Sequence, residues 1–201
     1  MKQFIYLYDP LCGWCYGASP HLEKIAHNNV ITLLPTGLFT DSERIMDQEF
    51  AHYAWSNDQR ISKLTGVTFS QQYQENILQK STAFDSRTLV NALAWVSQSV
   101  PEQVFNALKR LQKARYVEGL DTTKANVVSQ ILSQMSINIG EQAIIDAQAL
   151  ADQQIAQGQQ LAQQLGLTGV PQLLQVENGE IQALPNQLLF DEKLLATYLS
   201  A

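Results

Sequence analysis

The sequence predicts an α/β fold interrupted by a large all-helical insertion. Three observations carry this expectation. An aromatic and β-branched run opens the chain, helical periodicity follows, and a second β-type run closes the pattern of a βαβ unit. From about residue 40 to residue 140 the strand signals vanish. Near the end, two short extended runs flank Asn178-Gly179, and a last helical stretch completes the chain.

Each element has a local cause. Phe4-Ile5-Tyr6-Leu7-Tyr8 suits a buried strand, and Asp9-Pro10 ends it because the residue before proline is pushed to extended geometry. Helical periodicity begins near Gly13 and continues through Leu22, Ile25 and Ala26 until Asn28-Asn29. Pro20 is expected to kink this helix. Val30 to Leu34 reads as a second strand, stopped by Pro35 and parallel to the first. Helical stretches then read over 42–56, 69–79, 86–98, 101–114, 121–134 and 141–165. In the last of these, Ile144, Ala147, Ala151, Ile155, Gly158, Ala162 and Leu165 fall on one stripe, so the Gln-rich run is a packed helix ended by Gly166. Asn178-Gly179 favours a two-residue type I′ hairpin, and a final helix is expected over 187–199. The order β-α-β, helical block, α-β-β-α is that of a thioredoxin-like fold. Residues 1–39 and 150–201 are expected to form it, with 40–149 as the helical insertion domain.

Composition narrows the function. The chain has 201 residues, 45% of them apolar, and a net charge of −6. That is an ordinary globular balance, and its sign argues against nucleic acid or an anionic membrane as partner. The N-terminal apolar run is too short for a signal peptide, and no stretch is long enough to span a bilayer, so a cytoplasmic protein is expected.

The only cysteines, Cys12 and Cys15, stand in "DPLCGWCYG". A permanent disulfide is unexpected in a reducing cytosol, whereas a transient catalytic one is the common exception. Structural zinc wants four ligands, and His21, His27 and His52 have no matching spacing, so no metal is expected. Cys12 falls at the start of the first helix, where unpaired backbone N–H groups favour a thiolate, the attacking species in disulfide exchange. Cys15, one turn on, can resolve the mixed disulfide. Gly13 permits the tight turn, and Trp14 is expected flat beside the sulfurs, shielding them or touching a peptide. Far away in sequence, Gly169-Val170-Pro171 precedes the third strand. In a thioredoxin-like fold this loop sets a cis-proline against the cysteine pair, where the Val170 backbone can bind an extended substrate. The plainer alternative is a loop proline before an edge strand. Asp9 is read as a turn residue before an acid-base group, Tyr6, Tyr8 and Tyr16 as core or rim before substrate groove, and Trp55 and Trp95 as core.

"YDPLCGWCYGASP", the helical block and "GLTGVPQLLQVENG" together resemble the DsbA family of thiol-disulfide oxidoreductases, over the whole chain. The closest likeness is to its cytoplasmic branch of predicted protein-disulfide isomerases, near the FrnE-like proteins. The resemblance implies Cys12 as nucleophile, Cys15 as resolving cysteine, Pro171 as cis-proline and Val170 beside it. Gly13-Trp14 replaces the Pro-His of secreted members, which removes one stabiliser of the thiolate. The expected activity is thiol-disulfide exchange or isomerisation on protein or peptide substrates. No bound cofactor is needed, and glutathione or thioredoxin can serve as exchange partner. Two alternatives stand beside it: a glutathione-dependent kappa-type transferase or isomerase, against which Cys15 argues, and a non-catalytic redox-sensing peptide-binding module.

Overall fold

The computed structural model describes residues 2–200. Strand β1 (Gln3–Tyr8) leads through α1 (Gly13–Gly17) and α2 (Ser19–Ala26) to β2 (Val30–Pro35). Strands β3 (Gln172–Glu177) and β4 (Glu180–Ala183) complete a four-stranded sheet in the order β2-β1-β3-β4. β1 pairs parallel with β2 and antiparallel with β3, so Tyr6 stands between Leu33 and Leu173. β4 runs antiparallel to β3. This is the thioredoxin-type sheet that the sequence predicts. Its hairpin turns at Asn178 and Gly179, both at positive φ (52° and 83°), as a type I′ turn requires.

Between β2 and β3 the chain is helical apart from one isolated bridge, Ile45 to Ala83. Helix α3 (Gln48–Thr65) is followed by α4 (Gln71–Tyr73), which runs into a π-helical turn (Gln74–Leu78). Then come α5 (Arg87–Ser99), a 3₁₀ turn (Pro101–Gln103), α6 (Val104–Tyr116), α7 (Ala125–Ser133), α8 (Glu141–Asp146) and α9 (Gln148–Gln164). Helix α5 is the pillar. It is buried on nearly every side and packs against α6, α7, α8 and α9. Val90 and Ala94 of α5 meet Ala151 and Ile155 of α9, joining the helical block to the helix that covers β2.

Four boundaries differ from expectation. The helix expected over 42–56 lies at 48–65. Asp47 caps it by accepting from Phe50 N–H, and the preceding residues are held extended by Met46 N–H to Thr82 O and Phe84 N–H to Arg44 O. Its end is Gly66, in the left-handed conformation at φ 77°. The first helix does not merely kink at Pro20. It divides at Ala18, and Pro20 sits in the first turn of α2, where its missing N–H costs nothing. The stretch 141–165 divides at Ala147, so that α8 serves α5 and α7 while α9 reaches β2. The last helix divides into a 3₁₀ turn (Asn186–Leu189) and α10 (Glu192–Ser200), because Asp191 turns its carboxylate onto the N–H groups of Lys193 and Leu194.

The predicted small-residue stripe is buried from Ile144 to Gly158. At Gly158, α9 touches β2 backbone to backbone: a Cβ there would lie 2.4 Å from Pro35 O. Gly158→Ala must push α9 off the strand. It is expected to destabilise the protein by about 1–3 kcal/mol, read as a lower urea midpoint at unchanged slope.

Candidate active site

The loop that bears Cys12 is built by β1 and gripped by the helical block. Asp9, fully buried at the end of β1, accepts from Leu11 N–H (2.9 Å), Phe39 N–H (3.0 Å) and Ser86 Oγ (3.0 Å). Burial raises its carboxyl above the ordinary range, against the pull of those three hydrogen bonds. Its own carbonyl receives Cys12 N–H at 3.0 Å. From α6, Tyr116 OH donates to Leu11 O (2.8 Å) and Gln112 Nε2 to Pro10 O (3.5 Å). Asp9 is therefore a turn residue, as expected, and also a tie between the sheet and the helices.

Cys12 caps α1 in extended geometry, and its carbonyl takes the first helical hydrogen bond from Tyr16 N–H. Both cysteines are free thiols, and they stand 3.3 Å apart. Cys12 keeps 7% of its surface exposed and Cys15 only 2%, so Cys12 is the more accessible sulfur. Burial, then the hydrogen bond and charge of Cys12, pushes the Cys15 thiol well up, which keeps it protonated. Tyr6 OH donates to Cys15 O at 3.3 Å.

The Val170–Pro171 bond is cis, and Cys12 Sγ points at Val170 O from 3.7 Å. Among the described residues Val170 N–H has no hydrogen-bond partner, so its backbone is open to an extended ligand. Gly13 lies flat against α3: a Cβ on it would meet Asp58 Oδ1 at 2.8 Å and Ile61 Cδ1 at 3.1 Å. Gly17, one turn on, is pressed against Ile61 in the same way. Trp14 is half-buried, and its ring stands edge-on to Phe190 with centroids 5.5 Å apart, a different packing from the flat one expected beside the sulfurs. Tyr6, Tyr8 and Tyr16 are buried in the core. Trp55 and Trp95 are only half-buried at its margin, a correction to their placement as core. Among the described residues no three His, Cys, Asp or Glu side chains gather as metal ligands.

Sequence reasoning missed the residues that surround Gly13 from the helices. Asp58 is 5% exposed, and Tyr73 OH donates to its Oδ2 at 3.2 Å. Burial pushes its carboxyl up to about 7, opposed by the Tyr73 hydrogen bond and the Arg115 charge. Arg115 is 1% exposed. Its guanidinium lies near the rings of Tyr73 (5.9 Å) and Phe84 (6.0 Å), and among the described residues it has no hydrogen-bond acceptor. Tyr116 stacks on Tyr16 at 4.8 Å. In the sequence, Asp58 sits in "SNDQR", beyond the helix expected over 42–56, and only the structure extends the helix over it and turns it inward.

Residues 5–193 match the family described as DSBA-like thioredoxin domain. The chain belongs to the DsbA-like thioredoxin family. A comparison with curated proteins finds no match. Among solved structures, this DsbA-like chain is similar to the cytosolic disulfide reductase DsbM from Pseudomonas aeruginosa, with 27% identity, 98% of each chain covered and a TM-score of 0.87. DsbM with GSH is similar at 26% identity and TM-score 0.85, covering 99% of this chain and 100% of that one. A Nitrosomonas europaea protein provisionally named a protein disulfide isomerase shares the fold at 23% identity and TM-score 0.78, with 99% and 98% covered. A 2-hydroxychromene-2-carboxylate isomerase shares it at 15% identity and TM-score 0.63, with 98% and 96% covered. Among the described residues no helix is long and apolar enough to cross a membrane.

A carboxyl whose folded pKa lies near 7 is stabilising while protonated and costs stability once ionised. The cost sets in above its unfolded value of about 3.9 and is complete above about 7. Asp58→Asn removes that cost. Its advantage over the wild type is expected to grow from near zero at about pH 4 to as much as about 4 kcal/mol at about pH 8, measured by urea denaturation across the range.

Proposed function

We propose that this DsbA-like chain is a cytoplasmic thiol-disulfide oxidoreductase that works chiefly as a reductase, with peptide or glutathione disulfides as substrates. The observation that carries the reading is the reduced Cys12–Cys15 pair, 3.3 Å apart, with the more exposed sulfur facing the cis Val170–Pro171 bond. The likeness to a cytosolic disulfide reductase supports the direction, and the same relative's structure with GSH supports glutathione as partner.

In this reading the Cys12 thiolate attacks one sulfur of a substrate disulfide. A Cys12–substrate disulfide forms, and the other substrate sulfur leaves as a thiolate that takes a proton. Cys15 then loses its proton and attacks Cys12 Sγ. The intramolecular disulfide forms, the second substrate thiol leaves, and two electrons have passed from the pair to the substrate. Two glutathione thiols, or a thioredoxin, restore the pair by the reverse chemistry. Val170 aligns the substrate backbone beside Cys12, and Trp14 with Phe190 forms the neighbouring apolar wall. Isomerisation is the same first step ended by return of the substrate thiol before Cys15 attacks.

Cys15→Ser is expected to hold glutathione or a substrate peptide on Cys12 as an adduct that dithiothreitol releases, seen by mass spectrometry, while Cys12→Ser forms none. Titrated in glutathione buffer, the pair is expected nearer to about −270 mV than to the roughly −120 to −180 mV of oxidants and isomerases. Failure to form a reversible intramolecular disulfide sinks the reading. Glutathione conjugation surviving in Cys15→Ser transfers the case to the kappa-type transferase.

A further inference from the structure

Between the two cysteines, the space a side chain would occupy at Gly13 is filled by a carboxyl from another part of the fold. A Cβ on Gly13 would come within 2.8 Å of Asp58 Oδ1. Asp58 lies in the middle of α3, so the contact is made by the helical insertion and not by the thioredoxin-type sheet. The carboxyl is 5% exposed, and among the described residues it forms no ion pair. The other oxygen, Oδ2, takes the Tyr73 hydroxyl.

The groups that face Asp58 come from three elements. Tyr73 lies on α4, Arg115 and Tyr116 on α6, and Cys12 and Cys15 flank Gly13 at α1. Burial first, and then the neighbouring Tyr73, pushes the Tyr116 hydroxyl well above its ordinary range, with smaller contributions from Asp58 and Cys12. Arg115 is the single cation of this group, and it contacts aromatic rings rather than the carboxylate. A negative charge placed at Asp58 is met by the Tyr73 hydroxyl and the Arg115 charge, yet burial outweighs both, and the carboxyl lies against the glycine that follows Cys12.

We propose that Asp58 is a positioning residue of the redox pair: lodged in the side-chain space of Gly13, its carboxylate restrains formation of the Cys12 thiolate, and its protonated form lifts the restraint. Like charges in a low-dielectric site disfavour one another, so each group holds back ionisation of the other. With the Asp58 carboxyl pushed up to about 7, the restraint changes across the neutral range. Cys12 reactivity then rises less steeply with pH than that of an isolated thiol, and the profile bends where Asp58 gives up its proton. The helical insertion thereby sets the reactivity of the pair as well as shelter for it.

The inference rests on the redox role proposed above, and its test is read on Cys12 directly. In a Cys15→Ser background, the rate of iodoacetamide alkylation of Cys12 is followed over pH. Asp58→Asn keeps the shape and an acceptor for Tyr73 but removes the charge. It is expected to speed alkylation about tenfold at about pH 8 and to change it less than about twofold at about pH 5.5. Superimposable profiles, or an equal change at both ends, overturn the proposal, because a purely structural role does not depend on the protonation of Asp58. Tyr73→Phe provides an independent reading should the Asn variant fail to fold. It removes the hydrogen bond that favours the carboxylate, so the bend must move to higher pH, and a bend that stays in place overturns the proposal. A protein that shows the expected profiles yet exchanges no disulfide refutes the oxidoreductase reading and leaves the role of Asp58 standing.

Discussion

The site depends on a carboxyl that never meets water. Asp9 ends β1, and each of its oxygens is committed: one to the loop that bears Cys12, the other to Phe39 N–H and Ser86 Oγ. Ser86 stands immediately before α5, the pillar of the helical block. One side chain thus fixes the sulfur loop relative to both parts of the fold. Tyr116 and Gln112 extend the same arrangement to the carbonyls of Leu11 and Pro10. A loop with its polar groups satisfied in this way holds its geometry, because any displacement leaves buried donors and acceptors unpaired.

Much of this was legible before any coordinates. The cysteine spacing, the strand ended by Asp9-Pro10, the Val-Pro step and the Asn-Gly hairpin each carry their geometry in two to four adjacent residues. Short-range chemistry decides the strand end and the hairpin, whereas the cis geometry at Val170–Pro171 was expected from the thioredoxin-type order of the elements. The helix breaks were harder. Ala147 is an excellent helix former and gives no local sign that the chain bends there. The bend arises because α8 and α9 pack on different neighbours. The helix expected over 187–199 breaks for the opposite reason: Asp191, inside it, takes backbone N–H groups onto its carboxylate and restarts the helix.

The deepest omission was electrostatic. Asp58 and Arg115 fall just beyond the helices expected over 42–56 and 101–114, and charged residues are rarely buried, so nothing local marks them. The burial of Asp58 follows from glycine. Gly13 and Gly17, one turn apart, leave α1 without side chains on the face toward α3, and Asp58 and Ile61 fill the gap. Glycine at the first position between the cysteines is thus an accommodation to the helical block. The departure of Gly13-Trp14 from the Pro-His of secreted relatives has a structural counterpart on a helix more than forty residues away in sequence.

The separation between Cys12 and its neighbour Val170, 158 positions, also bears on how the molecule comes into being. A ribosome delivers chain in one direction. The βαβ unit with both thiols is made before the helices of the insertion, and β3, the antiparallel partner of β1, only after them. Until then the central strand lacks one neighbour and the sulfurs lack their wall. Such long-range pairing is slow compared with local helix formation, and unpaired strand edges invite association with other chains. The nascent protein is therefore most vulnerable to adventitious oxidation and aggregation during the interval in which its helical middle is being translated.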